Sequence, residues 1–351
     1  MRMKIKEIVI LISVLLLVSL IMTTCQSPEV TSAKVYFQQD NIDAAEEQLL
    51  IALEKEPQNP EVPFLLATNV YAPRRDWDKV KNMLQKTSKL DPTYADKVNK
   101  YTKKYWGEIH TEGANAFNNA IRAILPMEKD SLLLLSATKF QEALSMKSDE
   151  AITYNGIVKC YFMLFDTLNV EKYAEMAEEN GIFDQDVMYY YYQVMWQPEN
   201  QEETLVKLTN LTSEHPEALQ LQILKIQFLS ELERFQEALD VAKKISTENP
   251  DNTDLRFILA QIYVKTNDYE SAQYEYQKVL AENPEDIDVL TRIAEAFFQS
   301  KDWVMAEEYS RKLIELDPEN VFGYDVLWKS LYNQGHKEEA EKYRQIEKSL
   351  R

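Results

Sequence analysis

Three histidines, His110, His215 and His336, and the interior cysteine Cys160 have the clearest capacity for metal or nucleophilic chemistry. The histidines are scattered, and none has a second His or a Cys at the short spacing that places two ligands on one metal. Cys160 lies in Val158-Lys159-Cys160-Tyr161-Phe162, an apolar helical stretch that reads as the setting of a buried structural thiol. No Ser occupies a Gly-x-Ser-x-Gly elbow, and with 6 Gly in 351 residues there is no glycine-rich loop to cradle a phosphate. Carboxylates are abundant, but pairs such as Glu46-Glu47 and Glu307-Glu308 read as solvated helix faces, not as the opposed acid and base of glycoside hydrolysis. The sequence therefore argues against an enzyme, and no metal or cofactor is expected.

The elements that would carry any other function are helical. Glycine is far below its usual share while Ala, Leu, Glu, Lys and Gln are plentiful, which predicts an almost wholly α-helical chain with few tight turns. Asp plus Glu number 58 against 39 Lys plus Arg, a net charge of −19, so the chain lacks the basic surface that nucleic acid requires.

The N-terminus has its own pattern. Arg2, Lys4 and Lys6 precede an apolar run from Ile8 to Met22, followed by Thr23-Thr24-Cys25. The run is short for a membrane span, which needs about 20 residues, and suits a secretory signal. Residues 1–24 resemble a bacterial lipoprotein signal peptide. That resemblance implies acylation of Cys25 and a membrane-anchored protein of the cell envelope, with Gln26 after the cysteine favouring the outer membrane over the inner. Thr24 and Met22 depart from the usual small residue and leucine, so an uncleaved signal anchor held by the apolar segment stands as the other reading.

Prolines disclose a period. Pro216, Pro250, Pro284 and Pro318 are 34 residues apart, as are Ala238, Ala272 and Ala306, Ala260 and Ala294, and the aromatics Phe235, Tyr269 and Trp303. Small residues at fixed helix positions let paired helices approach closely, and a proline closes the second helix of each pair. The chain resembles the tetratricopeptide repeat family, whose unit is a helix-turn-helix of this length. The resemblance implies an all-α, right-handed superhelical solenoid of about nine such repeats. Units at 219–252, 253–286 and 287–320 carry the pattern strongly, and 185–218 is degenerate. A final unit from Val321 ends in a polar helix that suits an exposed cap. Tyr36, Ala45, Leu49, Leu53 and Pro57 fit a unit at 26–59, and Ala67, Trp77, Leu84 and Pro92 fit another with one inserted residue. The expected organisation is a signal peptide or anchor at 1–24, N-terminal repeats at 25–93, divergent helical hairpins at 94–184 and a C-terminal array at 185–351. The divergent region is expected to hold a pair of long hairpins joined by a Pro126–Asp130 loop.

In this family, positions 2, 5, 9 and 12 of each unit face a concave groove. Carried onto this chain, position 9 becomes Gln193, Gln227, Gln261 and Glu295, a ladder able to donate to and accept from an extended peptide backbone. Tyr189, Trp196, Phe257 and Phe298 would supply aromatic anchors. Among the groove positions Lys329 is the one cation, beside Asp186, Asp254, Asp288 and Asp325, so a neutral, basic or aromatic protein segment is the expected partner. The implied function is a membrane-tethered interaction scaffold of the bacterial envelope, serving assembly or secretion of outer-membrane components. A non-catalytic regulatory subunit is an alternative, and so is a carbohydrate-binding surface protein built on the aromatics around Tyr191.

Overall fold

A computed structural model describes residues 27–351; Cys25 and the 1–24 segment lie outside the described residues. The chain divides into two compact units, Met1–Tyr190 and Tyr191–Arg351. Every regular element among the described residues is helical, and within each unit successive helices pack against one another, so the fold is an all-α repeat solenoid.

In the first unit, α1 (Pro28–Gln38) pairs with α2 (Ile42–Lys55). Helix α3 (Glu61–Leu65, continuing as a π turn over Leu66–Tyr71) pairs with α4 (Trp77–Leu90). The π turn is how the fold absorbs the extra residue of this unit: one wider turn takes it up while Ala67 and Trp77 keep their buried places. Helices α5 (Ala95–Arg122) and α6 (Pro126–Met146) form a long hairpin, and α7 (Ala151–Met163) and α8 (Thr167–Glu179) a short one. Two expectations are corrected here. Only the first hairpin is long. Its connection is residues 123–125, because Pro126 takes the first helical position, where its missing N–H costs no hydrogen bond.

The long hairpin packs around one ring. Phe140 on α6 lies between Gly113 on α5 and Gly156 on α7, where an added Cβ would come within 2.8 and 2.6 Å of the ring. Nearby, the Cys160 thiol donates to Ser136 Oγ at 3.3 Å, and that hydroxyl donates to the carbonyl of Gly113 at 2.8 Å. Burial pushes the thiol pKa up to about 11, with Ser136 and Lys159 opposing, as suits an inert core residue.

Helix α9 (Gln185–Met195) carries the division between the units. The second unit continues with α10 (Gln201–Glu214), α11 (Leu219–Glu231), α12 (Phe235–Glu248), α13 (Thr253–Lys265) and α14 (Tyr269–Glu282). It ends with α15 (Ile287–Gln299), α16 (Trp303–Leu316), α17 (Val321–Asn333) and α18 (Lys337–Leu350). The in-phase alanines Ala238, Ala260, Ala272, Ala294 and Ala306 are all 0% exposed, so in these units a small side chain sits where paired helices meet closely. Asn252, Asp268, Asp286, Asp302 and Asn320 cap the helices that follow them by accepting from backbone amides three residues on. The terminal helix α18 buries little beyond Ala340 and Glu347, and Arg311 on α16 ties it down through Glu339 at 2.6 Å and the Tyr343 hydroxyl at 2.9 Å.

Scarce glycine does not mean few tight turns. Glu233, Asn267, Lys301 and Gly335 recur at the repeat interval, each in the left-handed region with φ between 57° and 92°. Each ends a first helix with the same pair of bonds: Asn267 N–H to Val264 O at 3.1 Å and Asp268 N–H to Tyr263 O at 2.9 Å are one instance. Asp40, Arg75 and Phe165 do the same in the first unit. The turns are built, but mostly with residues that have a Cβ.

Candidate functional site

First helices supply one wall each to a cleft in the second unit. Gln227 on α11, Gln261 on α13 and Glu295 on α15 occupy equivalent places in successive repeats and line a cleft of about 680 Å3. Ser230 and Val264, a further equivalent pair, stand beside them, and Ile226, Ile258, Ile262 and Tyr276 form its apolar floor. The spacing explains the convergence: residues 34 apart on repeating pairs return to the same face.

The polar rim is balanced in charge. Glu231 and Glu295 face Lys265 and Arg292, and the Arg292 guanidinium pairs with Glu295 at 3.3 Å. Glu295 also accepts from Gln299 Nε2 at 3.2 Å. The two cations fall outside the four groove positions read from the sequence, yet the sequence signals them. Arg292 is three residues before Glu295 and Lys265 four after Gln261, the spacings that share a helix face. Tyr276 is buried at the floor, where desolvation raises its pKa and leaves the phenol neutral.

Other expected site residues are placed elsewhere. Trp196 stacks on Phe228 with centroids 3.8 Å apart, and its indole N–H donates to Glu231 at 2.5 Å. Phe257 meets Tyr276 edge-on at 5.7 Å, and Phe298 meets Trp303 edge-on at 5.3 Å. Lys329 donates to Asp325 at 2.6 Å on its own helix. Gln193 is half-buried and does not line the cleft. Tyr189 lies in the first unit, half-buried and edge-on to Tyr190 at 5.4 Å. The tyrosine run is largely spent on packing: Tyr190 leans on Phe162 at 4.7 Å, and Tyr191 on the buried Tyr192 at 5.3 Å.

Among the described residues no group of three or more His, Cys, Asp or Glu side chains is arranged to hold a metal ion, and no helix is long and apolar enough to cross a membrane.

Residues 229–274 and 257–321 match two models of the tetratricopeptide repeat. No curated protein matches the chain. Among solved structures, the C-terminal part of a TPR repeat-containing protein from Cytophaga hutchinsonii is similar with a TM-score of 0.51 at 16% identity, over 69% of this chain and 92% of that one. MamA from Desulfovibrio magneticus RS-1 is similar with a TM-score of 0.44 at 18% identity, over 48% of this chain and 96% of that one. At such identities the Cytophaga likeness speaks for the fold alone, and the MamA likeness, with its lower TM-score, carries no weight.

Proposed function

This chain is a tetratricopeptide-repeat protein, and we propose that it is a non-catalytic scaffold gripping an extended segment of a partner protein along the Gln227–Gln261–Glu295 cleft. The observation that carries the reading is the convergence of three in-phase side chains, two of them amides, on one cleft with an apolar floor. Primary amides offer two donors and two acceptor sites each, so a regular row of them matches the regular N–H and C=O groups of an extended backbone. The apolar floor takes alternate side chains of such a segment, and the balanced rim neither repels nor selects strong charge. The segment we propose is neutral, with aromatic or aliphatic side chains.

The scaffold is held, in this reading, to a membrane of the bacterial envelope, through lipid on Cys25 or through the apolar run Ile8–Met22, and serves assembly or secretion of outer-membrane components. Two features support it: the basic residues before the run and the cysteine that follows it closely.

The test pairs two measurements. Affinity capture from envelope extracts compares the native chain with a Gln227→Ala, Gln261→Ala, Glu295→Ala variant, using Gln193→Ala as the control outside the cleft. The triple variant should keep its helical circular dichroism and lose no more than about 1 kcal/mol of stability, because Gln227 is exposed, Gln261 and Glu295 are only half-buried, and the Arg292–Glu295 pair is a surface ion pair. It should lose a partner that the control retains. Identical catches from all three proteins contradict the cleft reading. Mass spectrometry of the mature N-terminus separates acylated Cys25 from an intact Met1, and a mature chain carrying neither contradicts the tether.

A further inference from the structure

Position 7 of the repeat is a core position in the last three units, where Leu259, Ile293 and Leu327 occupy it at 5%, 0% and 0% exposure. One repeat earlier the same place holds Lys225. A lysine stem can fill part of an aliphatic volume, but its ammonium then ends in a half-buried place where an aliphatic side chain would ask for nothing.

Lys225 lines a second cleft, of about 250 Å3, between α10, α11 and α12. Thr209 and Asn210, which carry a hydroxyl and an amide, line it from α10, and Leu205, Leu229 and Val241 are its apolar lining. Arg234 and Glu237 also line it, but they satisfy each other through two hydrogen bonds of 2.7 Å, with Glu202 taking the third side of the guanidinium at 3.1 Å. Lys225 has neither an ion pair nor a hydrogen bond among the described residues. Burial, and secondarily the charge of Lys244, press its pKa down, with Glu237 opposing. An anion next to the amine would remove that cost.

This cleft is separate from the peptide cleft. On α11 the side chains of Lys225 and Gln227 are about 200° apart around the axis, at 100° per residue, so the two clefts open on opposite faces of one helix.

We propose that the Lys225 cleft is a binding site for a carboxylate on a short aliphatic body, held by the Lys225 ammonium and by Thr209 and Asn210 and seated against Leu205, Leu229 and Val241. A free short-chain carboxylate and a glutamate side chain of a protein share this chemistry. At about 30 Å3 per heavy-atom group the cleft, of about 250 Å3, has room for roughly eight such groups, enough for a short-chain carboxylate or a glutamate side chain and too little for a nucleotide or a folded domain.

The test uses the full-length protein in carboxylate-free buffer, with butyrate and the peptide acetyl-Ala-Glu-Ala-amide as probes. Acylation of Lys225 by succinimidyl acetate is followed by peptide mass spectrometry, with the exposed Lys244 as internal reference. A saturable protection of Lys225 of about threefold or more, without protection of Lys244, is expected from at least one probe. Protection by butyrate assigns the site to a free small carboxylate, and protection by the peptide assigns it to a side chain of a partner. In parallel, the protecting probe should raise the melting temperature of the native chain and leave that of Lys225→Met unchanged. Lys225→Met is expected to fold, since the equivalent places hold Leu and Ile, and Thr209→Val provides a second variant that keeps the amine and should weaken protection. No protection by either probe, equal protection of Lys244, or an undiminished melting response in Lys225→Met overturns the proposal.

Discussion

The indole of Trp196 lies on the ring of Phe228, 3.8 Å between centroids and 8° from parallel, while its N–H holds the Glu231 carboxylate. A side chain that reads as a ligand anchor is thus a joint between the end of α9 and α11, and it fixes one of the two carboxylates on the rim of the cleft. Removing the ring deletes a stacked aromatic contact and frees Glu231 at once. Trp196→Ala is expected to destabilise the second unit by about 1–3 kcal/mol in chemical denaturation, less than for a fully buried tryptophan. A loss below about 0.5 kcal/mol, with partner capture abolished, would instead restore Trp196 to the binding surface.

The turns between paired helices hold removable strain. Glu233 and Lys301 sit at φ 57° and 65°, a conformation that costs a residue with a Cβ roughly 1–2 kcal/mol, while glycine adopts it freely. Glycine there also loses more chain entropy on folding, which returns part of the gain. Glu233→Gly and Lys301→Gly should each raise stability by about 0.5–1 kcal/mol. Asn267→Gly should be near neutral, because asparagine tolerates the left-handed region. Differential scanning calorimetry of the three variants checks the ranking, and a larger gain from Asn267→Gly would contradict it.

His110 makes the first unit sensitive to acid. Its ring packs between Trp106 and Phe140, at 5.2 and 5.0 Å, and its Nε2 is buried without a partner. Burial lowers its pKa from 6.5, with the backbone of Ile152 and the charge of Glu150 opposing. Well above pH 6.5 the ring is neutral in folded and unfolded chains alike and contributes no pH dependence. As pH falls below that value the unfolded chain takes up a proton that the fold holds off, so stability declines. His110→Phe should flatten the loss of stability between pH 6.5 and about 5, measured by urea denaturation. Equal slopes for the two proteins would remove His110 as the cause.

The sequence displays the repeat most clearly where successive units solve the same packing problem. Ala238, Ala272 and Ala306 recur because each meets the same close neighbour, so period alone locates the helical pairs from 219 onward. The α5–α6 hairpin escaped that logic. Its core is the Phe140 ring set between Gly113 and Gly156, a solution used once and therefore without period. The left-handed turns were invisible because Glu233 and Lys301 are residue types that rarely mark such a conformation. At the cleft, Gln227, Gln261 and Glu295 were legible from phase. Lys265 and Arg292 were not, because a four-position reading of the groove omits the helix neighbours three and four residues away.

The most direct test of the scaffold reading is site-specific photo-crosslinking in cells. A photoreactive residue is placed at Gln261 in the cleft, and separately at Asp240, an exposed position on α12 away from it. The account predicts a discrete adduct with one partner protein from Gln261, none from Asp240, and loss of the adduct when Gln227 and Glu295 are both changed to Ala. Equal adducts from the two sites, or an adduct at Gln261 that survives those changes, would contradict the claim that this cleft grips the partner.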